Sequence, residues 1–176
     1  MKNIPFFIYL LSISFSIIFI SCKDETSPVT PSSEHMEPEG WMIRDEALNP
    51  KLVVWQGVIQ TSWNGSPVSD TLAAPIDSVS GRYSIKLLDD KKMIITQPAS
   101  SDYVLKIVIN DTSTAAIVQD LQAEWAFYLR GKNAGTTSLE LLLFHLGHID
   151  VRTPEIPVVV PNPGPLPHRT LKQQFN

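Results

Sequence analysis

The stretch Thr136–Phe144, which reads TTSLELLLF, decides the fold class of this chain. Three alternate positions in it carry the same apolar residue, namely Leu139, Leu141 and Leu143. The positions that precede the first two, Ser138 and Glu140, are polar. Successive side chains of a strand point to opposite faces, so this period of two predicts a β-strand with one face in a hydrophobic core.

Other segments show the same period, or an apolar and β-branched composition, and these are residues 51–60, 82–87, 103–109, 124–130 and 157–160. Turn-forming pairs such as Asn64-Gly65 and Ser80-Gly81 separate them. Residues 115–126 could also be read as a helix, although their apolar spacing fits a helix poorly. Short strands between turns predict an all-β fold, a β-sandwich of about seven to nine strands.

A resemblance to a known domain type supports this fold. Residues 130–137 read RGKNAGTT and lead into SLELLLF and later into IPVVV. This order resembles bacterial Ig-like domains of the extracellular repeat kind, with matches at Gly131, Ala134, Gly135 and Thr136. Residues 83–90, YSIKLLDD, are similar to the second strand of those domains. The resemblance covers roughly residues 41–160 and implies an Ig-like β-sandwich, with insertions expected near 61–79 and 145–155.

The first residues have the pattern of a targeting segment. A basic residue, Lys2, precedes an apolar run over residues 4–20. About 15 apolar residues is the length of a signal-peptide core, whereas a membrane-spanning helix needs about 20. Acidic residues follow, so no basic cluster indicates a stop-transfer signal. Residues 1–21 are therefore predicted to be a cleaved signal peptide.

The chain's one cysteine, Cys22, directly follows this segment in the order Phe19-Ile20-Ser21-Cys22. The order resembles a bacterial lipobox, in which a small residue precedes the lipidated cysteine, with Phe19 where leucine is usual. The resemblance implies lipid on the Cys22 thiol, cleavage after Ser21, and acylation of the new amino group, for example with palmitate. Two or more acyl chains anchor a protein to a membrane far more firmly than one chain does.

Lys23, Asp24 and Glu25 follow the cysteine. A lysine followed by two acidic residues resembles the export signal of surface-exposed lipoproteins in some Gram-negative bacteria. The resemblance implies an outer-membrane lipoprotein, with the cell surface favoured over the periplasmic face, which stays open as an alternative.

Composition divides the rest of the chain and excludes some functions. Residues 22–34 read as an anchor and flexible tether, 35–160 as the Ig-like domain, and 161–176 as a Pro-rich disordered tail. Cleavage leaves 176 − 21 = 155 residues, and the loss of Lys2 changes the formal charge from −4 to −5. This mild acidity argues against a nucleic-acid partner, because such partners require a basic surface.

Two segments combine histidine with carboxylates and could hold a metal ion, with candidate ligands His35, Glu37, His145 and His148. Imidazole and carboxylate suit zinc, and imidazole also suits copper. In an Ig-like sandwich the start of the first strand and the loop between the last two strands lie at one end, so both segments are expected there. The alternative is that these histidines are ordinary loop or edge residues. No other cofactor is indicated.

No catalytic pattern stands out, since a Gly-x-Ser-x-Gly elbow and a phosphate-binding glycine loop are both absent from the sequence. A metal-dependent hydrolase at the histidine site would need a general base that no motif supplies. Trp63, beside Asn64-Gly65, is expected to be exposed in a loop, where it could bind a sugar. The leading hypothesis is a non-enzymatic lipoprotein that binds the membrane through Cys22 and has a protein or glycan partner. The alternative is an envelope metal-binding protein.

Overall fold

The structure, a computed structural model, describes residues 36–98, 102–120 and 125–162. These ranges contain no helix, and hence none with the length and apolar character needed to cross a bilayer. In chain order the strands are β1 Gly40–Arg44, β2 Pro50–Trp55, β3 Val58–Ile59, β4 Ser62–Trp63, β5 Ser66–Pro67, β6 Leu72–Ala73, β7 Tyr83–Leu88, β8 Ile94–Ile95, β9 Tyr103–Ile109, β10 Ala115–Gln119, β11 Ala126–Gly131, β12 Gly135–His145, β13 His148–Arg152 and β14 Ile156–Val160.

Several predictions concern residues outside the described ranges. They are the signal peptide 1–21, the tether 22–34 with Cys22, Lys23, Asp24 and Glu25, the candidate ligand His35, and the tail beyond Asn162. The first two tail residues, Pro161 and Asn162, are described and exposed.

The strands form two sheets and one separate hairpin. The seven-stranded sheet has the order β10-β11-β7-β1-β2-β3, and β8 pairs with β7. The five-stranded sheet has the order β13-β12-β14-β6, and β9 pairs with β12. Strands β4 and β5 form the hairpin. Among the described residues, strand pairs are antiparallel except β14 with β6.

This arrangement confirms the predicted Ig-like β-sandwich. In the Ig fold the first, second, fifth and fourth strands share one sheet, and the third, sixth and seventh share the other. Here β1, β7, β11 and β10 are neighbours in one sheet, while β9, β12 and β14 share the other. Nine of the strands have five or more residues, and five two-residue strands occur in addition. The insertion between the first two Ig strands contains β2 to β6 and is longer than the expected 61–79.

Two local expectations change in the structure. Residues 51–60 do not form one strand, because Gln56 and Gly57 have positive φ angles of 47° and 75°. The chain reverses there, and Val54 in β2 pairs with Ile59 in β3. The helical alternative for residues 115–126 is not realised in the described part of that segment, since residues 115–119 form β10.

The core lies between the sheets and is apolar on both sides. Strand β12 contributes three leucines that are completely buried, as the period of two predicts: Leu139, Leu141 and Leu143. The other sheet contributes fully buried residues from β1, β2, β7 and β11, among them Ile43, Leu52, Ile85 and Phe127. Burying one such side chain contributes about 1.5–3 kcal/mol, so this core is the main source of the domain's stability.

Strand β12 is long because β13 and β14 together form its partner on one side. Its C-terminal half pairs with β13, and its N-terminal half pairs with β14. The buried Thr153 spans the break between them. The Leu141 N–H donates to Thr153 Oγ1 at 3.0 Å, and the Thr153 N–H donates to the Leu141 carbonyl at 3.0 Å. The threonine hydroxyl therefore stands in for a carbonyl of the ladder.

Gly131, which matches the Ig-like pattern, ends β11 where another segment crosses it. Its N–H donates to the Pro75 carbonyl at 2.8 Å, and its carbonyl accepts from the Asp77 N–H at 3.3 Å. A Cβ atom at this position would lie 2.6 Å from the Ala74 carbonyl oxygen and 2.6 Å from a methyl group of Val160. Only glycine fits this crossing without a shift of backbone.

We expect Thr153→Val to lower the free energy of unfolding by about 1–3 kcal/mol, because the Leu141 N–H would be left buried without an acceptor. Thr153→Ser retains the hydroxyl and is the matched control, with a smaller loss. Urea unfolding of both variants and the parent chain measures the difference. Equal stabilities of the valine and serine variants would contradict the role given to the hydroxyl.

Candidate functional site

Part of the outer face of the seven-stranded sheet is apolar, in addition to the face toward the core. Met42 in β1 lies opposite Val53 in β2, and Gly40 in β1 lies opposite Leu88 in β7. These positions alternate with core residues, so they point away from the core. A second apolar cluster covers this face, formed by Met42, Val53, Trp63 and Leu88 with Trp55 and Val68 packed against them. The part of the insertion between β2 and β6 supplies Trp63 and Val68 and so covers this part of the outer face.

Two tryptophans and a lysine form the centre of this cluster. The rings of Trp55 and Trp63 have centroids 5.8 Å apart at an interplanar angle of 54°. Lys92 Nζ lies 5.6 Å from the Trp55 centroid and 5.3 Å from the Trp63 centroid. This is the geometry of a cation–π interaction. A Cβ on Gly40 would lie 2.8 Å from Cε3 of Trp55, so the glycine provides the space for that ring.

A cleft of about 450 Å³ opens beside the cluster, between the β1–β2 turn, the β4–β5 hairpin and β8. Its apolar lining includes Met42, Leu48, Trp63, Val68 and Ile94. Its polar lining comprises Arg44, Asn49, Asn64 and Ser66. Ligand sites in proteins have volumes of about 300–1,000 Å³ and combine apolar walls with a few polar groups. The cleft has the size and composition of such a site.

The β1–β2 turn holds the cleft's one described charged residue in place. Arg44 Nε donates to the Leu48 carbonyl at 2.5 Å. Asp45 closes the turn, because its Oδ1 accepts from the Asn49 N–H at 2.9 Å and its carbonyl accepts from the Leu48 N–H at 2.9 Å. Leu48 adopts a left-handed conformation with φ 65° and is 54% exposed. Sequence reasoning missed both Arg44 and Leu48.

The prediction that Trp63 lies exposed in a loop is wrong. Trp63 belongs to β4 and pairs with Ser66 across the turn. Its exposed fraction is 6%, because its ring packs into the second cluster. Asn64 and Gly65 form that turn with φ angles of 49° and 80°. Asn-Gly is a strong sequence signal for a two-residue hairpin and could have placed Trp63 in a strand. Trp55 and Lys92 lie against the ring of Trp63, so it does not offer an open face on which a sugar could stack.

The candidate histidines have separate environments. His145 is 8% exposed and stacks on Tyr103, with ring centroids 4.3 Å apart and an interplanar angle of 10°. Its Nδ1 lies 3.7 Å from Asp150 Oδ2. His148 lies opposite His145 across the β12–β13 hairpin and is exposed. His145 thus has the packed environment of a structural histidine.

Glu37 lines a different, smaller cleft of about 200 Å³. Glu39, Val151 and Arg152 also line it, so the segment before β1 does lie beside β13, as the Ig-like topology predicts. Within the described ranges, however, no three His, Cys, Asp or Glu side chains are grouped so as to hold a metal ion. Because His35 lies outside those ranges, the four-residue metal site remains a prediction.

Comparisons with known proteins give little further information. The sequence matches no known family and no curated protein. Among solved structures, the crystal structure of domains 4 and 5 of the S-layer protein SbsC is similar, with a TM-score of 0.38 and 11% sequence identity. The similarity covers 69% of this chain and 77% of that chain. At this level it supports no inference about function.

We expect Trp63→Ala to lower the free energy of unfolding by about 3–5 kcal/mol, because a buried ring is removed from the second cluster. The matched control is Val58→Ala, which truncates an apolar residue that is 60% exposed and should change stability by about 0.5 kcal/mol or less. Chemical denaturation measures both values. If Trp63→Ala were as stable as Val58→Ala, the burial of Trp63 in the second cluster would be contradicted.

Proposed function

We propose that this chain is a cell-envelope lipoprotein, anchored by lipid on Cys22 and exposed at the surface of a Gram-negative outer membrane. Its Ig-like sandwich acts as a non-enzymatic binding module, and the ligand binds in the cleft beside Trp63. The anchor rests on the lipobox-like sequence at residues 19–22 and on Lys23, Asp24 and Glu25 after it. The binding role rests on the cleft.

The binding role is supported mainly by exposed apolar side chains in the cleft, next to the buried second cluster. Leu48 and Ile94, on the lining of the cleft, are 54% and 49% exposed. A sheet that only needed a cover for its outer face would gain stability by burying these side chains, because each buried apolar Å² contributes about 25 cal/mol. A ligand that fills the cleft would provide that burial.

The chemistry of the lining supports a role without catalysis. The described residues around the cleft include no carboxylate, imidazole or thiol. These groups perform most general acid–base and nucleophilic catalysis. Amide, hydroxyl and guanidinium groups remain, and these are suited to recognition by hydrogen bonding.

The location is tested by Cys22→Ala, which removes the thiol that would carry the lipid. We expect the variant to leave the membrane fraction, whereas Ser32→Ala, a change in the tether ten residues away, should remain there. Fractionation followed by immunoblotting measures both, and protease treatment of intact cells reports exposure at the surface. Membrane retention of the alanine variant would refute the lipid anchor.

The binding role is tested by a photoreactive residue placed at Ser66, which is exposed and lines the cleft. Irradiation of intact cells should attach a ligand there, and mass spectrometry of the adduct gives its chemical class. The control places the same photoreactive residue at Lys132, which is exposed and does not line the cleft. This control should give no such adduct. Equal labelling at both positions, or at neither, would argue against a binding site in the cleft.

A further inference from the structure

Arg44 carries a positive charge that has no ion-pair partner among the described residues. Its side chain is half-buried at the end of β1, and among the described residues no carboxylate forms an ion pair with it. The two neighbouring carboxylates have other partners, since Asp45 accepts from the Asn49 N–H and Glu46 accepts from the Arg82 N–H at 2.9 Å. A partly desolvated guanidinium without a counter-ion favours an anion beside it.

The orientation of the Arg44 side chain is fixed in a way that leaves part of it available. Nε is engaged by the Leu48 carbonyl. Within the described residues, the two terminal nitrogens have no acceptor. Two parallel N–H groups at the end of a guanidinium match the two oxygens of a carboxylate. Lysine could not reproduce this pairing, because its ammonium group is a compact charge without the planar fork of a guanidinium.

Leu48 shows that the turn is not built for stability alone. A left-handed backbone is unfavourable for leucine, and glycine adopts it without steric cost. The Leu48 carbonyl would hold Arg44 equally well if residue 48 were glycine, since the backbone makes the bond. The leucine side chain adds only an exposed apolar wall to the cleft. A strained residue with an exposed apolar side chain at a cleft points to a ligand that covers it.

We propose that the cleft binds a small amphipathic carboxylate, whose anionic group pairs with Arg44 and whose apolar body lies against Leu48, Met42 and Ile94. The inference rests on the proposed binding function and specifies the chemical class of the ligand. Two sources share this chemistry, a free organic acid with an apolar body and the C-terminal carboxylate of an apolar peptide. Lys92 Nζ, 5.3 Å from the ring of Trp63, adds positive charge near the same cleft and favours the same sign of ligand.

The test uses the full lipidated chain in nanodiscs and ligand-observed NMR with three probes. They are 4-phenylbutyrate, its uncharged analogue 4-phenylbutanamide, and the peptide N-acetyl-Leu-Leu with a free carboxylate. Empty nanodiscs correct for partition into lipid. We expect both carboxylates to bind and the amide to bind about tenfold or more weakly, as loss of a charge-assisted hydrogen bond predicts. The carboxylate with the lower Kd shows whether the site prefers a free organic acid or a peptide C-terminus.

Two variants separate the parts of the site. Arg44→Gln should weaken the binding of 4-phenylbutyrate about tenfold or more. Arg130 is exposed on β11 and does not line the cleft, so Arg130→Gln should leave this affinity unchanged. Leu48→Gly should keep or raise the melting temperature, because strain is relieved, and should weaken binding several-fold. The glycine variant thereby separates loss of the ligand site from loss of folding.

The outcomes distinguish this inference from the proposed function. Equal binding of the amide and the acid, or equal binding by the Arg44 and Arg130 variants, would overturn the carboxylate site. If neither carboxylate binds while the Ser66 photoadduct forms with another chemical class, the inference fails and the binding module stands. If none of the three probes binds and no Ser66 adduct forms, both the inference and the proposed binding function fail.

Discussion

The bond pair between Leu141 and Thr153 is the interaction on which the layout of this domain depends. It joins β13 and β14 into one line opposite β12. With that continuous partner, β12 extends over eleven residues and places Leu139, Leu141 and Leu143 in the core. Loss of register at this point would turn the leucines toward the outer face, because a one-residue slip in a strand exchanges its two faces.

A second constraint comes from the sheet opposite. Strands β1, β2 and β7 each place one buried apolar residue on the outer face, Met42, Val53 and Leu88, in addition to their core residues. Apolar residues on both faces are usual for sheets covered on both sides and unusual for a sandwich with one solvated face. The chain therefore needs a cover for the outer face, and the insertion between β2 and β6 provides it through Trp63 and Val68. The cleft arises where this cover ends, so the same feature that stabilises the sheet creates the candidate site.

Sequence reasoning predicted what depends on local periodicity and missed what depends on contacts across the fold. The leucines of β12 and the Ig-like order follow from a period of two and from the pattern around Gly131. The burial of Trp63 depends on Met42, Val53 and Leu88, which are distant in sequence, although Asn64-Gly65 indicated the hairpin. The left-handed Leu48 could not be predicted, because leucine rarely adopts that conformation. The stacking of His145 on Tyr103 likewise depends on a contact across the fold, because it joins β12 to β9.

Two features of the outer face could recognise a ligand, the tryptophan pair and Arg44, and a side chain of the protein already occupies the first. The tilted pair Trp55 and Trp63 could bind a cation, as aromatic rings do, but the ammonium of Lys92 already lies over both rings. Within the described ranges, only Nε of the Arg44 guanidinium has a hydrogen-bond acceptor. The ligand we propose for this face therefore pairs with the guanidinium and covers the apolar walls beside it. Stacking of a sugar on Trp63, which the sequence suggested, would require an exposed ring, and this ring is buried against Trp55 with Lys92 over it.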